Sequence, residues 1–509
     1  MSNDGLENPV ISLKLLIDKE KNKVVYAEAG GDFVDILFSF LTLPMGTLAR
    51  LLEKSNSSVP IGCFNNIYAS VATMSMKHFS TEASKQMLLY PGSLNQDKCQ
   101  KTKLRMIDDD SQATKCFMCP MFVRSGQCSK GYSNFNTSRC SCGNLMNEVI
   151  QFQRKGVKAS AGTNGVFVRS AHTSFIITDD LKVEVNSVMS TLKLLKELGY
   201  TDDCDKLVDL ILDFNLQEVT ALLKCLFTSD TPLTDTFLKK KSSCGIKRML
   251  SPPPALSEEE RESKADQTIT VNAYVRKKEG NIMYVECGED FVDLLFTFLA
   301  MPLQSVWGIS GNGVTFGCIG NLCKSFKELS VDSASGFKCV LPHYYKCQKQ
   351  QLLDDLVTTH KPPTYYRFVS FSVDHFREYC LTENSDKRLV YAWDKLLPVT
   401  SIDPKSEGNN NTADESSGFV KKGTKFIVTD DLVITPSNSS SVLGMLKDKQ
   451  ISLEDVECRV ISMKQEEVIR LLRASLVTFS ALSTGLLAME PSSTSVPESR
   501  FYKKPKIET

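Results

Sequence analysis

Hydrophobic and polar positions along this chain repeat themselves. The run YAEAGGDFVDILFSFLTLP, Tyr26 to Pro44, returns at a constant offset as YVECGEDFVDLLFTFLAMP, Tyr284 to Pro302. Before each run, alternating apolar positions predict a β-hairpin, from Ile11 to Ile17 and Val24 to Glu28 in the first copy. Asn22 in the first turn falls opposite Gly280 in the second, the residue types that best tolerate positive φ. From Phe33 to Leu41 almost every position is apolar, which predicts a helix buried on nearly all sides and stopped by Pro44. Asp32, with Asp290 in the second copy, is expected to cap this helix, and Asp35 to complete a capping box.

Further along, a second helix is expected around Thr47 to Glu53. IGCFNNIYASVATM from Ile61 aligns with FGCIGNLCKSFKEL from Phe316, pairing Gly62-Cys63 with Gly317-Cys318 and Asn66 with Asn321. The strand SFIITDDL from Ser174 recurs as KFIVTDDL from Lys425, and each Thr-Asp-Asp step is expected to form a turn. A helix at Val188 to Leu198 has its counterpart beginning at Val442. Amphipathic helices close both units, one opened by Asn215 and Glu218, the other by Ser462 and Gln465.

These elements predict an α+β fold made of two tandem copies of one mixed unit. Each has a β-hairpin, a buried helix, further strands and a C-terminal amphipathic helix. The first repeat unit spans residues 9–238, and a charged, proline-rich linker spans 239–267. The second unit spans 268–487, followed by a disordered tail at 488–509. A disordered loop is expected from Ser401 to Gly418. A length of 509 residues suits two such cores.

Composition changes this picture little. Lysine plus arginine and aspartate plus glutamate both number 60, so no whole-chain field points to nucleic acid or membrane. The acidic start MSNDGLENPV is unlike a secretory signal, and no apolar run reaches the roughly 20 residues that span a bilayer. A cytoplasmic or nuclear protein that is not secreted and has no membrane partner is expected. Lys503-Lys504-Pro505-Lys506 and the basic start of the linker are candidate nuclear-localisation signals. The 17 cysteines then read as thiols or metal ligands rather than disulfides.

The chemistry concentrates in CFMCPMFVRSGQCSKGYSNFNTSRCSCG from Cys116. Cys116-x-x-Cys119 and Cys140-x-Cys142 are two close pairs joined by a loop, the arrangement that offers four thiolates to a structural Zn2+ as a knuckle-like insertion in the first copy. Gly143 would let the second turn relax around the metal, and Cys128 is a spare that could replace a member of either pair. By sequence the second copy keeps only Cys347. Lys115, Arg124, Lys130, Arg139, Arg154, Lys155 and Lys158 are interleaved with Phe117, Phe122, Tyr132 and Phe135, a pattern also compatible with single-stranded nucleic acid.

Taken together, the hairpin, G-x-D-F-V-D with its apolar helix, G-C with its asparagine, the paired cysteines and T-D-D-L resemble a plant-restricted family, domain of unknown function number 674, over nearly the whole chain. That resemblance implies tandem copies and no established activity. The leading expectation is a non-enzymatic interaction or scaffold protein with a structural zinc in the first repeat and a protein partner of unspecified identity. The alternatives are single-stranded nucleic-acid binding and a hydrolase using Asp179 or Asp180 with a cysteine. With no nucleophile and base at matched positions, and only five histidines in the chain, the enzyme is the lesser expectation.

Overall fold

The computed structural model describes residues 11–54, 61–99, 101–102, 115–125, 128, 131–152, 166–168, 174–200, 204–238, 268–310, 318–330, 339–347, 351–353, 355–360, 364–371, 377–386, 396–407, 418–438, 447 and 452–487. The expected linker, the tail and all but Lys447 of the helix beginning at Val442 lie outside these residues.

In the first half, β1 (Ile11–Asp18) and β2 (Lys23–Ala29) form the expected hairpin, with Asn22 at φ 47° in its turn. Three short strands follow, β3 (Cys116–Met118), β4 (Gly131–Ser133) and β5 (Glu148–Phe152), then β6 (Phe175–Thr178), β7 (Val183–Val185) and β8 (Leu207–Phe214). The second half supplies β9 (Ile269–Arg276), β10 (Ile282–Cys287), β11 (Cys339–Pro342), β12 (Val357–His360), β13 (Tyr365–Phe371), β14 (Arg377–Thr382), β15 (Leu397–Ser401), β16 (Phe426–Thr429), β17 (Ile434–Pro436) and β18 (Val456–Met463). One five-stranded sheet has the order β7-β6-β2-β1-β8 and the other β17-β16-β10-β9-β18, so the two are alike strand for strand.

Helices α1 (Gly31–Thr42), α2 (Met45–Lys54), α3 (Phe64–Thr73), α4 (Leu216–Thr228) and α5 (Pro232–Phe237) of the first half have counterparts in the second. These are α6 (Glu289–Ala300), α7 (Leu303–Ile309), α8 (Cys318–Leu329), α9 (Gln465–Val477) and α10 (Ala481–Leu486). As the apolar run predicts, α1 is buried at every position from Phe33 to Thr42. Asn215 and Glu218 form the expected capping box on α4. Ser462 does not open α9, because it belongs to β18 and pairs with Thr270; there Glu467 accepts the Lys464 N–H instead, at 2.8 Å.

The aspartates of the repeated run have a different task from the expected one. The N-caps of α1 and α6 are Gly30 and Gly288, without side-chain capping bonds. Asp35, one turn in, is buried and accepts the backbone N–H groups of Val166, Phe167 and Val168 at 2.6, 2.8 and 3.1 Å. Asp293 likewise accepts those of Phe419 and Val420 at 2.8 and 3.2 Å. Each carboxylate thus latches a segment that would otherwise bury unpaired donors.

The halves exchange elements. Asn66 and Ser70 on α3 donate to Asp431 and accept from Ile434 N–H in the second half, while Asn321 and Ser325 on α8 do the same to Asp180 and Val183 in the first. The thiol of Cys63 donates to Thr478 O at 3.1 Å, and that of Cys318 to Ser229 O at 3.3 Å. Met45 N–H donates to Met301 O and Leu303 N–H to Leu43 O, a reciprocal pair. Rings cross as well, with Phe38 edge-on to Phe326 at 5.1 Å and Phe79 stacked on Phe296 at 6.2 Å. One hydrophobic cluster therefore runs through both halves.

Strands β3, β4 and β5 join β13, β14 and β15 in a closed barrel of order β13-β14-β5-β3-β4-β15. Its two seams, β5 with β14 and β4 with β15, are parallel and link one half to the other. Part of the loop expected to be disordered is ordered here. Ser401 ends β15, and the fully buried Lys405 ammonium pairs with Asp403 and the Tyr344 carbonyl. No helix of the described residues is long and apolar enough to cross a membrane.

Candidate metal centre

At one end of the barrel four cysteines converge. The sulfurs of Cys119, Cys128, Cys140 and Cys142 all lie within 4.8 Å of one another. Cys119 follows directly on β3, where the chain turns into the short helix Pro120–Ser125 and Phe122 N–H donates to the Cys119 carbonyl. Cys140 and Cys142 sit in a tight turn closed by Gly143 N–H to Cys140 O at 2.8 Å and Cys140 N–H to Asn144 O at 2.9 Å. Gly143 adopts φ 83°, a left-handed conformation that suits glycine, and Arg139 donates to its carbonyl.

Three of the four residues picked out by spacing are brought together, and Cys116 is not among them. It lies in β3, paired with Ile150 and buried among Phe117, Met118 and Leu381. Cys116 is held within β3, whereas Cys119 lies past the end of that strand where the chain turns, so the first pair does not bring both sulfurs to one point. Cys128 takes the vacant role. The signal for this was β3 itself: the apolar run C-F-M-C that ends at Pro120 reads as a strand rather than a metal-binding turn.

Within the pairs, Cys119 to Cys142 measures 3.6 Å and Cys128 to Cys140 measures 3.0 Å. Four thiolates at about 2.3 Å around a zinc ion stand roughly 3.8 Å apart, so small outward shifts would make room for the metal. Burial pushes the Cys119 thiol up, whereas the backbone N–H at Asn144 holds Cys142 below its ordinary value. Cys142 is exposed, Cys128 half-buried, and Cys119 and Cys140 are buried. A catalytic zinc keeps one of its four positions for water or substrate, whereas four thiolates fill the tetrahedron and close the set.

The remaining sequence candidates are tied into the fold. Asp179 accepts Thr234 N–H and Oγ1–H, and Asp430 accepts the same groups of Ser483, so each fixes its half's last helix. Burial pushes the Cys63 and Cys318 thiols up to about 12. Cys347, matched by sequence to Cys116, is off the barrel and buried in the main core. Around the cluster, Phe117, Phe122, Tyr132 and Phe135 are buried, whereas base stacking needs exposed rings. Lys130, Arg154, Lys155 and Lys158 lie outside the described residues, as does the Arg124 side chain.

Fold and site together define a mixed α+β protein with two alike sheets, a shared barrel and a four-cysteine group able to hold a metal ion. The chain belongs to the family described as a protein of unknown function (DUF674), whose model matches residues 7–466. No curated protein and no solved structure matches it.

Proposed function

We propose that this is a non-enzymatic scaffold or interaction protein whose first half holds one structural zinc ion through Cys119, Cys128, Cys140 and Cys142. The convergence of four sulfurs within 4.8 Å carries this reading. Soft thiolates favour zinc, copper(I) or iron–sulfur clusters, and a reducing cytoplasm or nucleus keeps the thiols available. A closed set of four holds its metal for stability rather than for catalysis. The scaffold reading is supported by the saturated carboxylates Asp179 and Asp430 and by the un-ionised thiols of Cys63 and Cys318.

We further propose that the chain arose from two copies of one unit, 9–238 and 268–487 joined by a linker at 239–267. The equal strand orders and the reciprocal contacts of α3 and α8 support this reading. Metal analysis of the full chain, purified under reducing conditions, should find one zinc per chain and a colourless sample. Visible absorption would indicate an iron–sulfur cluster instead, and a folded, reduced, metal-free chain would refute the site.

A further inference from the structure

The four sulfurs differ in accessibility, and they pair. Among the described residues Cys142 and Cys458 are the exposed cysteines. Of the two, Cys142 belongs to the cluster, with Cys119 at 3.6 Å and Cys128 and Cys140 3.0 Å apart beside them. A thiolate reacts with an oxidant according to its exposure, and a neighbouring thiol then resolves the product as a disulfide. Structural zinc sites buried on all sides lack such a point of attack; this one has it on one ligand of four.

On this basis, and resting on the metal reading above, we infer that the centre is a peroxide-responsive switch that exchanges its metal for disulfides. The Cys142 thiolate attacks one oxygen of a hydroperoxide, breaking the O–O bond and giving a sulfenic acid. The Cys119 thiolate then attacks that sulfur and displaces hydroxide, forming the Cys119–Cys142 disulfide. With two ligands gone the metal dissociates, and Cys128 and Cys140 form the second disulfide in the same way. In total the four-thiolate zinc complex, two hydrogen peroxides and four protons give two disulfides, free Zn2+ and four waters. The sulfurs are oxidised, peroxide oxygen is reduced, and the metal keeps its charge.

The consequence reaches both halves. Cys119 adjoins β3 and Cys140–Cys142 link β4 to β5, the strands whose parallel seams to β15 and β14 close the barrel. A disulfide brings its sulfurs to about 2.05 Å, well inside the spacing around a metal. Oxidation therefore redraws the end of the barrel at which the first half grips the second.

The test uses the full-length, reduced chain loaded with zinc. Its metal content is measured first, and a metal-free folded chain would overturn the metal reading and the switch with it. Hydrogen peroxide is then added in the presence of a chromophoric zinc chelator, and disulfides are mapped by mass spectrometry. One zinc should be released per chain in step with the Cys119–Cys142 disulfide, and reductant plus zinc should restore the starting state. Cys458→Ser should release zinc at the same rate as the parent. Full zinc content with no release, or release without the Cys119–Cys142 linkage, would overturn the switch while leaving the metal reading standing.

Discussion

Asp35 and Asp293 perform the same latching under different electrostatic loads. Burial pushes Asp293 up to about 7, against the pull of two backbone N–H groups and the Lys405 ammonium. Since the folded-state value lies above the ordinary 3.8, the folded chain holds this proton more tightly than the unfolded one. The resulting stabilisation is complete below the ordinary value and is lost as pH rises through about 7. The urea midpoint of the full chain should fall between about pH 4 and pH 7, and Asp293→Asn, which keeps an acceptor for Phe419 and Val420, should flatten that fall. Identical pH profiles for parent and variant would contradict this assignment.

Gly62 tests the exchange at the same scale. It adopts φ 49°, and a Cβ there would meet Ser475 O of the other half at 2.3 Å. Gly62→Ala should destabilise the whole chain by about 2–4 kcal/mol in denaturant titration, combining backbone strain with a backbone clash. Gly30→Ala, with nothing within 4 Å of its Cβ, should cost under about 1 kcal/mol. Equal losses would mean that the contact of Gly62 with α9 carries no special weight.

Among the elements, those set by local pattern were legible in the sequence. The β1–β2 hairpin, α1 and the α4 capping box each follow from a few adjacent residues. The four clustered cysteines were legible only in part, because picking them out requires the extent of β3 as well as the cysteine spacing. The capping box was misread for a related reason: glycine takes each N-cap, and a carboxylate at the position of Asp35 or Asp293 looks alike in sequence whether it completes a capping box or receives a distant segment. The ligand assignment makes a paired prediction. Cys128→Ser should lose the bound zinc, and Cys116→Ser should retain one equivalent, as read by elemental analysis of the folded variants. The reverse result would restore the C-x-x-C pair and displace Cys128.

At the scale of the whole molecule, periodicity predicts which faces are buried but not against which half, since both halves offer similar apolar surfaces. The packing of α3 and α8 on the opposite half was therefore invisible in the sequence, although the hairpins and the strands β6 and β16 were not. The continuous cluster through both halves argues that neither completes its core alone. Residues 1–238 expressed by themselves should lack a cooperative thermal transition, whereas co-expression with 268–509 should restore a complex with near-parental secondary structure. A cooperatively folding, monomeric first half would show that the exchanged contacts are dispensable.

The reciprocal pair at Leu43–Met45 and Met301–Leu303 lies where each half faces its own counterpart, with Pro44 bridged to Pro302. A substitution at Pro44 meets Pro302 of the other half, so the two positions are tied in what they can become. Away from those prolines the tie slackens, as at the cysteine-bearing turns, which lie between strands of the first half alone. Divergence between the halves should grow with distance from these two prolines.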